Sequence, residues 1–393
     1  MKKISLFILC LQWFIATCDA QSNIDSLLER IQSTNMEIGS NTKYWDAKGL
    51  EYKTGLTPTN PFVEYDYLFG SPAGLGNQQE LNIIQQVDFP TVYSRKKDLS
   101  NKLVSKAQMQ KNVFRQEILL ETKLLLYDVI YLNNKESQLM GREQKTAQLL
   151  QEYDQKLQQG DANMLDVNKI KLQYLSIKND LLLLQNEKQT LLTKLAELNG
   201  GVWMDFKDTI YPAIPLIPDF ETLDSIIEYN DPLIALYEQE KIIQQQQVYV
   251  QKSLNLPKLE AGYHGQTILN TRLQGIHAGI TVPLWENKHK VKAAEANVDF
   301  ASTNIQRHRL ERRLDNQRLY DLLEVRQNAM EEYEELLSTM GNTVLLDKAL
   351  RLGEITVIQY FLEQSYFYTA YDKNEQLKRE YHKAVIELYK YTL

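Results

Sequence analysis

Two proline-free stretches, 91–211 and 284–393, constrain the fold more than any other feature of this sequence. Proline breaks helices, and between 91 and 159 only Gly141 interrupts good helix formers. After Gly160, residues at alternating steps of three and four are apolar, with the exception of Lys188, as in a helix that packs along a coiled-coil seam. The seam consists of Val167, Ile170, Tyr174, Ile177, Leu181, Leu184, Lys188, Leu191, Leu195 and Leu198. We therefore predict a long helix, a tight turn at the glycine and a returning helix.

The same organisation occurs twice. Pro90 and Pro283 are separated by 193 residues, and so are Gly160 and Gly353. The seam also recurs after Gly353, where eight of ten positions are apolar or aromatic: Tyr360, Glu363, Phe367, Ala370, Asn374, Leu377, Tyr381, Ala384, Leu388 and Tyr391. Conserved order and spacing within one chain indicate a tandem duplication. Each unit is predicted to contain a short helix (about 23–38 and 221–252), two extended segments and a long helical hairpin.

The extended segments alternate polar and apolar residues. We predict strands at about 62–69, 81–89, 258–268 and 275–282, because their apolar side chains fall on one face and their polar ones on the other. This length and alternation are typical of the strands of a transmembrane β-barrel. Four strands cannot close a barrel, and an open edge in lipid would leave backbone groups without hydrogen bonds. The chain is therefore expected to oligomerise.

The first 20 residues have the layout of an export signal. Lys2 and Lys3 precede an apolar segment, and small residues follow at the cleavage position after Ala20. Cys10 and Cys18, the two cysteines of the chain, would be removed with this segment. Lipidation of Cys18 is an alternative, which is disfavoured because Thr17 stands where a smaller residue is usual. Export is the expectation, without disulfides in the mature chain.

Composition and motifs argue against several classes of function. The formal net charge is −7, so no general basic field favours nucleic acid. Nucleotide-binding glycine loops and a catalytic serine elbow are absent from the sequence. We expect no enzyme, no cofactor and no metal site. His264 and His277 face the polar side of neighbouring predicted strands, where metal handling is the alternative to ordinary pore lining.

The repeated junctions resemble those of the TolC family of outer-membrane efflux proteins. The resemblance covers about 22–393 and rests on Val87-Asp88-Phe89-Pro90, on Ile280-Thr281-Val282-Pro283-Leu284-Trp285, and on the two glycine turns. It implies a mainly helical protein with transmembrane β-structure, whose homotrimer forms a twelve-stranded barrel continuous with a helical periplasmic tunnel. It also implies a passive exit duct of a tripartite efflux (RND-type) or secretion system.

This resemblance implies an organisation and a location. A signal peptide would span 1–20, a first repeat 21–202 with its hairpin at 91–200, a proline-rich linker 203–220, and a second repeat 221–393 with its hairpin at 285–393. The partners would be two further copies of the chain, a periplasmic adaptor, an inner-membrane transporter and outer-membrane lipid. The protein would lie in the outer membrane and extend into the periplasm.

Three sets of candidate functional residues follow. The adaptor-docking tip is assigned to Gly160, Asp161, Gly353 and Glu354, with Asp161 also expected to cap the returning helix. A tunnel constriction is assigned to Asp166, Gln359 and Glu363. Glu363 takes the seam position that Ile170 holds in the first hairpin, so it either lines a lumen or turns to outside water. Aromatic anchors at the membrane interface are assigned to Phe89, Tyr93 and Trp285.

Two other classes of protein fit part of the pattern. A periplasmic adaptor is also exported and also contains a coiled-coil hairpin, but it carries one such hairpin and no duplication. A structural coiled-coil protein of the envelope would explain the helices but not the four alternating strands. Substrate identity is open at this stage, since the same type of duct serves drugs, metal ions and proteins.

Overall fold

The computed structural model describes residues 23–72, 74, 76–339 and 343–393, so the predicted signal peptide and both cysteines lie outside the described residues. The elements of the first repeat are α1 (Asn23–Thr34), α2 (Met36–Glu51), β1 (Phe62–Leu68), β2 (Gln78–Val87), α3 (Pro90–Gln159) and α4 (Met164–Leu198). Those of the second are α5 (Phe220–Asn230), α6 (Pro232–Ser253), β3 (Lys258–Ile268), β4 (Thr271–Thr281), α7 (Lys290–Thr339), α8 (Thr343–Arg351) and α9 (Val357–Leu388), followed by a 3₁₀ turn at Lys390–Thr392. The prediction of a mainly helical fold with four strands, in duplicated order, is confirmed.

The short helix predicted at the start of each repeat is a pair of helices. In the first repeat the break falls at the buried Asn35, whose side chain donates to the carbonyl of Leu198 and accepts from the N–H of Ile38, both at 2.8 Å. In the second repeat Asp231 caps α6, and Pro232 occupies its first turn. Because proline lacks an N–H group, a continuous helix cannot run through this position without losing a hydrogen bond.

The observed strands differ from the predicted bounds by more than one residue at three ends, two of them in β2 and one in β4. β2 begins three residues before the predicted start at 81 and ends at Val87 instead of 89. β4 begins at Thr271 instead of 275, because Leu269 and Asn270 both adopt positive φ angles (46° and 66°) and join β3 to β4 through a two-residue turn. Such a turn lets the hydrogen-bonded ladder continue to the end of both strands.

The second hairpin also departs from prediction. Its first helix starts at Lys290, not 285, because His289 has a left-handed backbone conformation (φ 67°) that cannot continue a helix. A second, short helix, α8, precedes the turn at Gly353. In the outgoing arm of this hairpin the structure describes α7 up to Thr339 and α8 from Thr343, and the outgoing arm of the first hairpin is the 70-residue helix α3.

The chain forms two compact units. The sheet unit comprises residues 40–113 and 231–312, and the hairpin unit comprises the described residues up to 39 together with 114–230 and 313–393. The sheet unit contains the antiparallel sheet in the order β1-β2-β3-β4. Within the described residues β1 and β4 each have one neighbouring strand, so each leaves one edge open.

The register of the sheet separates two faces. Asn82 of β2 lies opposite His264 of β3, which lies opposite Gly275 of β4. Residues two positions away share this face, which carries most of the charged side chains of the strands: Glu64, Asp66, Glu80, Glu260, His264 and His277. The other face presents exposed apolar side chains: Val63, Tyr65, Tyr67, Ile83, Leu259, Ile276 and Ile280. This is the alternation that the sequence predicts.

In the hairpin unit α4 packs with α3, α3 with α9, and α9 with α7, and beside the tips α4 also contacts α9. The first hairpin is closed by Leu132 and Leu139 of α3, which pack with Ile177 and Leu184 of α4. The second is closed where Leu323 of α7 packs with α9, in a cluster that also holds Ala384, Val385 and Leu388. The two repeats therefore meet through α3 and α9, and beside the tips through α4 and α9 as well.

Charged side chains join α3 and α9. The Arg142 guanidinium of α3 lies 3.1 Å from the Asp372 carboxylate of α9 and stacks 3.5 Å from the centre of the Tyr368 ring. Farther along the same helices, Lys383 and Asp128 form a second ion pair at 2.8 Å. Because Arg142 is largely buried, burial lowers its pKa and the carboxylate of Asp372 opposes that effect.

The largest core of the hairpin unit lies near the C-terminal end of α4. Ile24, Leu28 and Ile31 of α1 pack there with Leu126 and Ile130 of α3, and the cluster also includes Leu195, Leu198, Met204 and Phe206. The linker that follows α4 covers α9 beside this core, where the Tyr211 and His382 rings stack with centroids 4.3 Å apart. Burial, with a smaller contribution from the charge of Lys378, lowers the pKa of His382 to about 4.

The buried His382 predicts acid sensitivity. Its folded-state pKa lies below the unfolded value near 6.5, so the unfolded chain binds the proton first as the pH falls. The stability that the neutral ring contributes is complete above pH 6.5 and is lost between pH 6.5 and 4, up to a free energy of unfolding on the order of 3 kcal/mol. His382→Phe, which keeps an aromatic ring against Tyr211, should reduce the fall in melting temperature between pH 7 and pH 5. An unchanged fall in this variant would contradict the assignment.

Candidate functional site: the tips of the two hairpins

Both hairpins reverse through the same glycine-dependent turn. Gly160 and Gly353 have φ angles of 81° and 75°, in the left-handed region that side chains rarely adopt. The N–H groups of Gly160 and Asp161 donate back to the last turn of α3 at 3.1 and 2.8 Å. Those of Gly353 and Glu354 donate to the last turn of α8 at 3.1 and 2.9 Å. This paired pattern satisfies the terminal carbonyls of each outgoing helix.

Each returning helix is capped by the third residue after the glycine. The Asn163 side chain accepts a hydrogen bond from the N–H of Asp166 at 2.9 Å. Thr356 accepts from the N–H of Gln359, and the Gln359 side chain accepts from the N–H of Thr356 at 2.9 Å, which completes a capping box. The prediction that Asp161 caps α4 is wrong, because the position directly before the first helical residue belongs to Asn163.

Two of the three predicted constriction residues take part in these caps. The Asp166 carboxylate accepts from the Asn163 amide at 2.7 Å and lies 3.3 Å from the Lys169 ammonium. Gln359 closes the capping box of α9. Both side chains therefore have a local structural role that would hold them at fixed positions beside the turns.

Glu363 does not occupy the buried seam of α9. Its side chain is exposed, and the buried positions run instead through Val357, Tyr360 and Gln364. The carboxylate thus lies one position beside the seam, where water solvates its charge. The seam prediction is wrong at this position because steps of three and four can be taken in either order.

Beside the second tip, a polar group in the core determines which positions of α9 are buried. The Tyr360 hydroxyl donates to the Asp347 carboxylate of α8 at 2.6 Å and accepts from the Gln364 amide at 2.6 Å. Burial, followed by this bond to Asp347, raises the pKa of Tyr360. The residue 193 positions earlier is Val167, so the first hairpin has an apolar contact where the second has hydrogen bonds. A shared cluster holds both tips: Ile170, Leu350, Val357 and Tyr360.

The tips also present apolar side chains that the seam pattern does not identify as functional. Leu165 and Ile358 are equivalent second residues of α4 and α9, and both are more than half exposed (69% and 56%). Their neighbours Met164, Leu352 and Leu362 are exposed as well. The sequence signal for them is an apolar residue two positions after the cap, off the seam, at the same place in both repeats.

The three predicted interface aromatics lie in the sheet unit, with Phe89 and Trp285 between strand and helix and Tyr93 in the first turn of α3. The Tyr93 hydroxyl accepts from the N–H of Asp88 at 2.9 Å, so it helps to fix the passage from β2 to α3. Phe89 is half-buried, and Trp285 is 77% exposed between β4 and α7. The Trp285 ring is thus exposed to the surroundings of the protein, whereas the Tyr93 hydroxyl is hydrogen-bonded to the backbone of Asp88.

The two histidines of the strands share the charged face of the sheet. His264 contacts the Asn82 side chain, and the His277 ring lies 3.4 Å from the Glu260 carboxylate. Within the described residues, no group of three or more His, Cys, Asp or Glu side chains is placed to hold a metal ion. No helix in the described ranges combines the length and apolar character needed to cross a membrane.

Comparison with solved structures identifies the fold. The outer-membrane channel OprN matches with a TM-score of 0.77 over 94% of this chain and 89% of its own, at 15% identity. The outer membrane protein VceC from Vibrio cholerae matches at 0.73 over 93% and 95%, at 13% identity. The Campylobacter jejuni CmeC outer membrane channel matches at 0.71 over 94% and 85%, at 15% identity. No protein-family model and no curated protein sequence matches the chain. Nearly the whole chain therefore has the fold of these outer-membrane channels.

Proposed function

We propose that this chain is the outer-membrane channel of a tripartite efflux (RND-type) or secretion system. It would act as a passive exit duct for substrates that a periplasmic adaptor and an inner-membrane transporter deliver. The observation that carries this proposal is the match to outer-membrane channels over 94% of the chain. A structural match of this extent includes the sheet, both hairpins and the linker. It therefore involves more than a single coiled coil, which unrelated proteins could share.

The sheet supports a homotrimer. The described part of the chain supplies four strands with two open edges, and edge strands in lipid need partners for their N–H and C=O groups. Three copies would bring β1 of one chain beside β4 of the next and give the twelve strands that the family resemblance implies. The apolar face, with Val63, Ile83 and Ile276 exposed, would then contact lipid, and the charged face would line the lumen.

The residues between sheet and helices support the placement in the membrane. Trp285, with Phe89 and Tyr93, would lie at the periplasmic interface of the outer membrane, the level at which amphipathic rings anchor. We assign residues 1–20 to a cleaved signal, 21–202 and 221–393 to the two repeats, and 203–220 to the linker. An adaptor or a structural envelope protein is less well supported, because neither class requires four membrane-facing strands.

The tips are the proposed docking surface for the adaptor. Gly160, Asp161, Gly353 and Glu354 form two turns in which a side chain added at either glycine would meet open space. Leu165 and Ile358 add exposed apolar side chains to the same surface. Bare backbone flanked by apolar groups suits the tip of another helical hairpin, since both hydrogen bonds and apolar area are offered.

We assign the constriction of the tunnel to Glu363, Asp166 and Gln359, which lie within the first turns of the returning helices. Threefold symmetry would place three copies of each around one axis. Glu363 is the one of the three whose carboxylate is exposed and lies outside the caps, so we expect it to dominate the local field. Rings of carboxylates favour the passage of cations.

The membrane placement is tested with the purified, full-length protein in planar bilayers and in liposomes. Single channels should appear at the concentration where crosslinking shows a trimer, and quenchers attached near lipid headgroups should quench Trp285 fluorescence. Because the chain has four tryptophans, the Trp285→Phe variant serves as the reference for the Trp285 signal. Conduction by a monomer, or quenching by aqueous iodide alone, would refute this placement.

The acidic constriction predicts a change in ion selectivity. Glu363→Gln removes three negative charges per trimer and should lower the cation preference of single channels at neutral pH. Glu387→Gln, which removes the same charge from the far end of α9, is the matched control and should leave selectivity unchanged. Equal selectivity in wild type and Glu363→Gln would exclude Glu363 from the constriction.

Docking at the tips predicts a specific loss of transport. Gly353→Leu forces a branched side chain into the left-handed turn. In cells it should abolish the export of a fluorescent dye that the system transports, while trimer formation and membrane insertion are retained. Gly141→Leu adds the same bulk on an exposed part of α3, where there is also open space, and should export normally. Normal export by both Gly160→Leu and Gly353→Leu would argue against docking at the tips.

A further inference from the structure

The hairpin unit contains a cavity of about 320 Å³ beside the linker. Its walls come from α1, from α3, from the linker at 212–215, and from α9 with the 3₁₀ turn that follows it. Because the walls belong to separate segments of the chain, the cavity is formed by the folding of the unit and is not a gap along one pair of helices. Its volume lies in the range of about 300–1,000 Å³ that is usual for sites that bind small molecules.

The cavity lies where two hydrophobic cores of the unit adjoin. Ile386 of α9 belongs to the core that holds α1, and its neighbour Val385 belongs to the core that includes Leu323 of α7. Both of these α9 residues line the cavity, together with Pro212 and Pro215 of the linker. The proline rings are apolar, and proline has no N–H group that would need a hydrogen-bond partner. This part of the lining therefore offers apolar contact to a ligand.

Ring-shaped side chains form another part of the lining. Tyr127 of α3 and His382 of α9 have ring centroids 6.0 Å apart, and both line the cavity together with Tyr389. The His382 ring is neutral at pH 7, since burial, with a smaller contribution from the charge of Lys378, lowers its pKa to about 4. Rings pack favourably against another ring in stacked or edge-to-face arrangements. The cavity thus suits a ligand that contains a ring.

Lys123 of α3 supplies this cavity with an ammonium group. The side chain is half-buried, and within the part of the chain that the structure describes it has neither a hydrogen bond nor an ion pair. By contrast, the ammonium groups of Lys188 and Lys383 in the same unit lie 2.7 and 2.8 Å from carboxylates. Removing a charge from water costs free energy, which a partner of opposite charge offsets. A half-buried ammonium that lines a cavity is therefore suited to bind an anion.

Two opposing effects act on the charge of Lys123. Burial lowers the pKa of its ammonium group, and the negative charge of Asp25 raises that pKa. Asp25 also lines the cavity, but its side chain is exposed, so water and salt weaken its repulsion of a bound anion. The half-buried ammonium is screened less. An anion beside Lys123 would therefore favour its charged form and offset the effect of burial.

We propose that this cavity binds a small aromatic carboxylate, with the carboxylate at the Lys123 ammonium and the ring against the linker prolines, Tyr127 and His382. A cavity of about 150 Å³ holds benzene, so the volume here suffices for one ring and a short acid side chain. The bound ligand contacts α3, α9 and the linker at once, and it stabilises the folded unit because the unfolded chain has no such site. This inference goes beyond the proposed function and does not depend on it.

Three probes with the same carbon skeleton test the site: 3-phenylpropionate, 3-phenylpropionamide and 3-phenylpropylamine. Isothermal titration calorimetry of the purified full-length protein in detergent should show binding of the carboxylate. The uncharged amide should bind about tenfold more weakly, because it lacks the charge-assisted hydrogen bond, and the amine should bind most weakly. The carboxylate at saturation should also raise the melting temperature. Equal affinities for the carboxylate and the amide, or a preference for the amine, would overturn the anion site.

Lys123→Met tests the group that recognises the anion. Methionine keeps an unbranched side chain and removes a half-buried charge, so the melting temperature of the ligand-free variant should equal or exceed that of the wild type. The variant should bind the carboxylate about tenfold more weakly and the amide with unchanged affinity. Lys145→Met, which removes the same charge from an exposed part of α3, is the matched control and should bind both probes as the wild type does. Unchanged carboxylate affinity in Lys123→Met would refute the role of Lys123.

Photolabelling locates the site in the unmodified protein. A 3-phenylpropionate with a diazirine on its ring should label the linker at 212–215 or α9 at 382–386, and an excess of plain 3-phenylpropionate should prevent this labelling. Labelling only at other positions, or labelling that the excess does not reduce, would overturn the site and leave the proposed function standing. Failure of the wild type to conduct would count against the proposed function and not against this cavity.

Discussion

The pairing of α3 with α9 is the contact on which the hairpin unit depends. Each hairpin is closed by its own apolar seam, and the two repeats are joined where these two helices meet. Removing the largely buried guanidinium of Arg142 from water is unfavourable, and the Asp372 carboxylate and the Tyr368 ring offset that cost. The sides of α4 and α7 that face away from these contacts carry exposed apolar side chains, among them Leu172 and Val325.

The duplication preserved the geometry of the tips more strictly than their interior. Both tips have a left-handed glycine, two hydrogen bonds back to the outgoing helix and a polar cap three residues later. These features satisfy backbone groups at a chain reversal, and few residues can replace them. The interior could change from Val167 to the Tyr360, Asp347 and Gln364 network because each new polar group has a hydrogen-bond partner.

This difference gives the two hairpins separate physical characters. Beside the first tip the buried contact of Val167 is apolar, whereas beside the second tip α8 is tied to α9 through the Tyr360 hydroxyl. Apolar packing is not directional, but a hydrogen bond is satisfied over a narrow range of distance and angle. The core beside the second tip is therefore the one held by directional hydrogen bonds of Tyr360, and the exposed Glu363 lies on the same helix one position before Gln364.

The sequence by itself determined the duplicated order of elements, the two glycine turns and the two faces of the sheet, because each follows from a local rule: proline excludes helix, glycine permits a left-handed turn, and alternation matches the strand period. Tertiary structure decided between positions that local rules treat as equivalent. The seam of α9 passes through Gln364 and not Glu363 because Asp347 of a different helix accepts the Tyr360 hydroxyl. The cap of α4 falls on Asn163 and not Asp161 because the turn places Asn163 directly before the first helical residue, where its side chain accepts the N–H of Asp166. Which leucines of α4 and α7 stay uncovered depends on which helices pack together, which no periodicity within one helix contains.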